Sequence, residues 1–204
     1  MTSVHTFIIP PFGRKREEPA DQNRIGSQCL DKHVDGGVQY APEVSKMIRI
    51  QDFYADAVQN AADEVFRYAK GVPADKLEWV PLEGGRTVLD ICRELAVCPT
   101  WAYNVIEGVE MKWDDEAMAA LRAEQEQWKT AADCEAQCNE RLGKLKELYR
   151  SLPDERLTTT KWLPYNGGRD HTVLEMMDYP KWNFNYHVGQ IAYIQTLYGD
   201  KEAY

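Results

Sequence analysis

His187 is the residue of this sequence whose side chain most readily suggests chemistry. It is one of four histidines among 204 residues, and it lies in an aromatic segment that ends at Gly199. A neutral imidazole can bind a divalent metal ion, and it can also transfer a proton near neutral pH. His187 is therefore the first candidate for a catalytic or metal-binding role.

Two cysteines form a second candidate, Cys134 and Cys138, which are four residues apart. Residues at this spacing lie on one face of a helix, so both thiols could bind one metal ion. No histidine or further cysteine lies near them in the sequence, and core packing is therefore the favoured interpretation. Nothing in the sequence resembles a nucleophile elbow, a phosphate-binding loop or a dinucleotide-binding fingerprint.

Composition and charge limit the classes of partner. The net charge is −9, which argues against a nucleic-acid partner because phosphate binding needs a dense basic face. No stretch approaches the roughly 18 apolar residues of a membrane span, and no signal peptide is apparent. Five cysteines, an odd number, do not suggest the disulfide framework of a secreted protein. We predict a cytoplasmic protein with reduced thiols that binds neither nucleic acid nor membranes.

The sequence divides into two parts of different character. Residues 1–43 contain Pro10-Pro11 and Gly36-Gly37 but no sustained apolar period, which predicts an irregular N-terminal extension. Over residues 44–204, apolar residues recur at three- and four-residue steps, and strand signals are nearly absent. This pattern predicts one all-α domain, a four-helix bundle.

The first two predicted helices have clear signals at their ends. Apolar residues repeat along one face from Ile50 onward, and the first helix should end near Gly71. Thr87 has the side chain of an N-cap for the second helix. Pro99 lies within the second helix and should kink or interrupt it, because proline lacks the N–H of the helical hydrogen bond.

The other two predicted helices are longer. Asp114 and Asp115 suit the N-terminus of a third helix that continues through Leu152 and stops at Pro153. The last helix should span about Val173 to Leu197. Pro180 lies inside it and should kink or break it.

An internal repeat marks the starts of the second and the last helix. Residues 79–90 (WVPLEGGRTVLD) are matched by residues 162–175 (WLPYNGGRDHTVLE), with Asp170-His171 as a two-residue insertion. Each copy predicts a Gly-Gly turn that leads into a capped helix, so the two helices should begin in equivalent ways. The two Gly-Gly-Arg turns could also bind an anion at the helix N-termini, which is the less favoured interpretation.

These features together resemble the DinB-like proteins over about residues 47–200. The resemblance rests on the order of four helices, the Trp-x-Pro entries to two of them, the run His187-Val-Gly-Gln190, and the closing Leu197-Tyr-Gly199. It implies a bundle in which three histidines hold a divalent metal, one from the second helix and two at i and i+4 on the last. Neutral imidazoles suit zinc or nickel.

This sequence departs from that three-histidine pattern. His187 matches the second histidine of the last helix, but Asn183 stands at the first position and Glu94 at or near the position on the second helix. In the functional interpretation, His187, Glu94 and Asn183 hold a metal weakly, or His187 acts as a catalytic acid or base in a pocket. In the structural interpretation, His187 is a core histidine that packs beside Phe184 and Ile191 and bonds Glu94 or a tyrosine.

Two classes of function therefore stay open. The resemblance implies a metal-dependent enzyme that acts on a small substrate, as a hydrolase or as a transferase or isomerase with a low-molecular-weight thiol as cofactor. The alternative is a non-catalytic bundle that has lost the metal site and that binds a small molecule or forms a homodimer.

Overall fold

Five helices and two short strands make up the described part of the chain. The computed structural model describes residues 47–164, 167–202 and 204. The elements follow in the order α1 (Ile50–Lys70), α2 (Val88–Glu107), α3 (Asp115–Gln125), α4 (Ala131–Ser151), a 3₁₀ helix (Asp154–Arg156), β1 (Thr160–Leu163), β2 (Arg169–Thr172) and α5 (Val173–Leu197). The predicted extension over residues 1–43 lies outside the described residues, so the predicted division into domains stays a prediction.

The four long helices, α1, α2, α4 and α5, form the predicted bundle. Helix α1 packs against α4 and α5, and α2 packs against the same two helices. Helices α1 and α2 therefore lie on one diagonal of the bundle, and α4 and α5 lie on the other. Among the described residues, no helix is both long and apolar enough to cross a membrane.

Contacts between the helices fix their directions. Gln51, at the start of α1, donates to the carbonyl of Leu152 just beyond α4, and Lys70, at the end of α1, donates to Glu135 early in α4. Helices α1 and α4 are therefore antiparallel. Helix α2 is antiparallel to α5 and parallel to α4, so α1 and α5 run one way and α2 and α4 the other. This up-down-down-up order requires long connections, because consecutive helices are not all neighbours.

The predicted third helix is wrong in one respect, because the chain forms two helices there. Helix α3 ends at Gln125, and α4 starts after a new N-cap, Thr130. Thr130 accepts from the backbone N–H of Asp133 at 3.1 Å, and the Asp133 carboxylate accepts from the backbone N–H of Thr130 at 2.9 Å. This capping box satisfies donors that a helix start leaves free, so it favours a new start over continuation.

Neither proline interrupts its helix, so of the predicted kink or break, the break does not occur. Helix α5 continues through Pro180 and α2 continues through Pro99. Proline removes one helical hydrogen bond and disturbs the preceding turn. In α5, the buried Tyr149 hydroxyl donates to the carbonyl of Met177 in that turn at 3.0 Å. The hydrogen bond crosses the bundle from α4 to the turn before Pro180, one residue after Met176, whose carbonyl is the one that the missing proline N–H leaves without its helical donor.

The internal repeat does produce equivalent helix starts. Thr87 caps α2 in a capping box with Asp90, and Thr172 caps α5 in a capping box with Glu175. The second copy also contains the two-stranded sheet of β1 and β2, which the sequence did not predict. The fold remains almost entirely helical, because each strand has four residues.

Four buried cysteines lie between α2 and α4. Cys92, Cys98, Cys134 and Cys138 are all buried, as predicted for core cysteines. Burial raises the pKa of the Cys98 thiol and that of the Cys134 thiol to about 12. High pKa values leave the thiols protonated near neutral pH, so they act as small apolar groups.

Candidate functional site

The three residues named from the sequence as a metal site lie along the interface between α2 and α5. Because these helices are antiparallel, residues of increasing number on α2 lie opposite residues of decreasing number on α5. Three pairs of side chains result, Trp101 with Tyr179, Cys98 with Asn183, and Glu94 with His187. Glu94 and Cys98 are four residues apart, as are Asn183 and His187, so both members of each set face the opposing helix.

Glu94 is held between two donors. His187 Nε2 lies 3.2 Å from one carboxylate oxygen of Glu94, and an Arg86 Nη1 donates to the other. Burial alone would raise the pKa of Glu94, but the hydrogen bond from His187 and the charge of Arg86 outweigh it and lower the pKa to about 2. Glu94 is therefore an ionised carboxylate whose charge the protein itself neutralises.

Arg86 reaches this carboxylate from the residue just before the N-cap of α2. Its second terminal nitrogen donates to the backbone carbonyl of Asp90 at 3.0 Å. Arg86, Asp90 and Glu94 are spaced by four residues, which places them in one line along the helix start. The preceding turn uses Gly84 with φ of 74°, a left-handed conformation that suits glycine.

His187 is buried, with 3% of its surface exposed. Since a carboxylate only accepts, Nε2 carries a proton toward Glu94. Nδ1 lies 2.6 Å from the side-chain oxygen of Gln190, one turn further along α5. The ring also meets the edge of Tyr186, with 5.2 Å between ring centroids. Both ring nitrogens are therefore engaged by side chains of this chain.

Asn183 lies one helical turn from His187, and it is also buried. Its side chain is hydrogen-bonded with the thiol of Cys98, which counters in part the rise of the thiol pKa that burial causes. The structure thus brings Glu94 and His187 into direct contact. It pairs Asn183 with a different residue of α2.

These residues do not fit a bound divalent metal as they are arranged. Metal binding needs a free lone pair on the imidazole and free carboxylate oxygens. Here Nε2 presents a proton, and each Glu94 oxygen already accepts from a donor. The Arg86 guanidinium adds a positive charge that repels a second cation. Within the described ranges, no three histidine, cysteine, aspartate or glutamate side chains are grouped so that they could hold a metal ion.

Sequence reasoning missed Arg86, although a signal was present. The Gly-Gly-Arg turn is a potential anion-binding feature, and Arg86 does bind an anion, but the anion is Glu94 of the same chain. A basic residue just before a helix N-cap and an acidic residue within the first two turns are the signal that the sequence offers. What the sequence could not show is that His187 approaches the same carboxylate from α5.

A cavity lies on another side of α2, away from the three predicted residues. It has a volume of about 600 Å³, and it is lined by polar and charged side chains of α2 and α4, including Tyr103, Arg141 and Lys144. Its size is within the range of small-molecule sites, roughly 300–1,000 Å³. It contains neither His187 nor Glu94, so any ligand there would not contact the α2/α5 interface.

Comparison with known proteins supports the fold. No protein-family model matches this sequence, and no curated protein is significantly similar to it. Among solved structures, the chain is similar to YfiT from Bacillus subtilis, described as a probable metal-dependent hydrolase with an unusual four-helix bundle topology. The TM-score is 0.61 at 17% identity, over 79% of this chain and 95% of that chain. The resemblance to DinB-like proteins is thereby confirmed at the level of the fold.

Proposed function

We propose that this chain is a non-catalytic binding protein with the YfiT fold, whose interior polar site is held by an arginine, a carboxylate and a histidine instead of a metal. One observation carries the proposal, namely that both Glu94 oxygens and both His187 ring nitrogens are engaged within the chain. A catalytic base needs a free nitrogen, and a metal centre needs an open ligand position. The site as built supplies neither to a substrate.

A second copy of the chain is the partner that we propose first. The outer face of α5 carries large side chains that are substantially exposed, among them Tyr193 at 63%. Trp182, Tyr186, Gly189 and Tyr193 follow a three- and four-residue spacing, which is typical of helix-to-helix contact. In the described part of the chain, no atom lies within 4 Å of where a Gly189 Cβ would be, so another helix could approach closely there. A small molecule in the cavity between α2 and α4 is the other proposed ligand.

Metal analysis of protein purified without a histidine tag tests the central part of this proposal. We expect zinc and nickel well below one ion per chain, and we expect removal of metal by a chelator to leave the thermal unfolding midpoint unchanged. One tightly bound ion per chain would contradict the proposal, as would a large fall in that midpoint after chelation.

Sedimentation of the protein tests the partner. We expect a reversible dimer, and we expect Tyr193→Glu to shift the protein to monomer while the circular dichroism spectrum is retained. Exposed Glu64 offers a matched control, since Glu64→Gln changes the charge on a different helix, α1. A wild-type protein that stays monomeric at all concentrations would exclude the homodimer.

A metal-dependent enzyme is the second candidate, either a hydrolase or a transferase or isomerase that uses a small thiol. It is favoured by the shared fold with YfiT and by the direct approach of His187 to Glu94 at 3.2 Å. In this candidate, Arg86 would have to leave Glu94 before a metal could bind. Stoichiometric metal together with metal-dependent turnover of ester or amide substrates would favour it over the non-catalytic proposal.

A further inference from the structure

We propose that Arg86 is the resident cation of this site, and that its guanidinium and a divalent metal exclude each other at Glu94. The inference rests on the proposed function, because it gives the physical reason why the site would be free of metal. It also identifies the residue that separates this chain from a metal-binding bundle of the same fold. A fold alone does not determine which cation, if any, a site holds.

The geometry of Glu94 supports this assignment. A buried carboxylate needs a compensating positive charge or strong donors, since burial without them is costly. Arg86 supplies both to one oxygen, and His187 donates to the other. A metal ion at Glu94 would have to replace one of these donors.

Arg86 is the partner that is easier to replace. Its side chain is 37% exposed, whereas the side chain of Glu94 is 17% exposed and that of His187 is 4% exposed. The guanidinium therefore lies on the solvent side of the pair and covers the carboxylate. A substitution at Arg86 would open Glu94 without removing a side chain from the core.

The histidine is already held in one orientation without Arg86. Gln190 contacts Nδ1 at 2.6 Å, which fixes the ring so that Nε2 faces Glu94. Outer contacts of this kind orient histidine ligands in metal sites. Removal of Arg86 would thus leave a carboxylate and an oriented imidazole side by side, with one compensating charge missing, and zinc would bind His187 in exchange for the Nε2 proton, which is released to solvent.

Zinc titration of full-length Arg86→Gln, without a histidine tag, tests the inference. Calorimetry should show zinc binding at least about tenfold tighter than for the wild type. Cobalt(II) should give a visible absorption band with Arg86→Gln that is absent from the wild type. Arg122→Gln is the matched control, because Arg122 is exposed on α3, and its zinc affinity should equal that of the wild type.

Two further variants test whether any gain in zinc affinity depends on the Glu94 carboxylate and on the positive charge of residue 86. Arg86→Lys keeps the cation and should still exclude zinc, while the double variant Arg86→Gln with Glu94→Gln should lose the gain. Folded Arg86→Gln with unchanged zinc affinity would overturn the inference, and so would a gain that persists without the Glu94 carboxylate. If Arg86→Gln does not fold, Arg86→Lys tests the inference instead. A lysine variant that binds zinc would contradict the proposed role of Arg86, and so would one that fails to fold although it keeps the positive charge.

The outcome for the wild type separates this inference from the proposed function. Wild-type protein that binds zinc tightly would refute the metal-free function, yet a further tenfold gain in Arg86→Gln would still support competition by Arg86. Absence of zinc binding from both proteins would leave the proposed function intact and refute the role of Arg86.

Discussion

Helix α2 takes part in two interfaces that keep polar groups inside the bundle by different means. Toward α5 it presents Glu94, an ionised carboxylate whose charge is balanced by Arg86 and whose second oxygen is bonded by His187. Toward α4 it presents Cys92, whose pKa burial raises so that the thiol stays neutral. The α2/α5 interface therefore holds paired charges, whereas the buried thiols between α2 and α4 are neutral.

The comparison shows where new chemistry could arise in this bundle. The α2/α5 interface already contains a charged group, Glu94, together with the cation that compensates it. Replacing that cation by another is therefore a small chemical step. The buried cysteines between α2 and α4 are neutral, and a new charge at one of them would lose its hydration, with Arg93 and Arg141 as the cations that act on this region. Substitutions in the two interfaces should therefore have effects of different size and different pH dependence.

The largest effect is expected from a charge placed in the α2/α4 interface. Cys138 is fully buried in α4, so Cys138→Asp should destabilise the protein by about 4 kcal/mol, because a buried carboxylate loses its hydration and no ion pair is built to receive it. The control, Cys138→Ala, should cost about 1 kcal/mol, since it removes one buried atom. Urea denaturation measures both. Equal stability of the two variants would show that residue 138 tolerates a charge and would contradict the contrast between the two interfaces.

A smaller effect is expected when the charge pairing in the α2/α5 interface is removed by acid. The folded-state pKa of Glu94 is lowered from 4.5 to about 2, so its ionised form stabilises the fold above about pH 4.5. That contribution should be lost as pH falls from about 4.5 to about 2, and we expect about 1–3 kcal/mol. Urea denaturation between pH 6 and pH 3 measures the loss.

The Glu94→Gln variant is the reference for that pH series. It lacks the carboxylate, so its stability should fall less steeply over the same pH interval. Parallel curves for the wild type and Glu94→Gln would mean that Glu94 titrates alike in the folded and unfolded states, which would contradict the pairing with Arg86 and His187.

Tyr149 tests the diagonal contact that joins the two halves of the bundle. Tyr149→Phe keeps the ring but removes the hydrogen bond to the carbonyl of Met177, so α4 loses its buried polar contact with the turn of α5 that precedes Pro180. We expect a loss of about 1–2 kcal/mol in the free energy of unfolding. Hydrogen exchange should also quicken in the turn of α5 that precedes Pro180. Unchanged exchange there would show that the helix does not depend on this contact.

Features set by neighbours in sequence were predictable, and features set by packing were not. Thr87 and the limits of α1, α2 and α5 followed from caps and apolar spacing. Thr130 and Asp133 also form a capping-box pattern in the sequence. The apolar spacing continues into α4, however, and it favoured one long helix over a new helix start at Thr130. The continuation of α5 through Pro180 and the contact that Tyr149 of α4 makes with the turn before it both arise in the packed bundle, so no local pattern could reveal them.

The candidate site shows the same division. The sequence and its resemblance to DinB-like proteins named Glu94, Asn183 and His187, and all three lie at the α2/α5 interface. Whether they serve as a site stays a prediction. That Glu94 is shared between Arg86 and His187 could not be read from the sequence, because it depends on how α5 lies against α2.

The smallest effects are expected at the N-caps of α2 and α4, which are built in the same way. Thr87 starts α2 and Thr130 starts α4, each in a capping box with an aspartate three residues later. Replacing either threonine by alanine removes a side-chain acceptor for one backbone N–H, at a cost of about 1 kcal/mol. Thr87 is buried and adjoins Arg86, whereas Thr130 is exposed. Water can replace the lost acceptor at residue 130 more easily than at residue 87, so Thr87→Ala should be the more destabilising. Urea denaturation at pH 7 gives both values, and a larger loss for Thr130→Ala would show that the start of α2 is not tied to the charged interface.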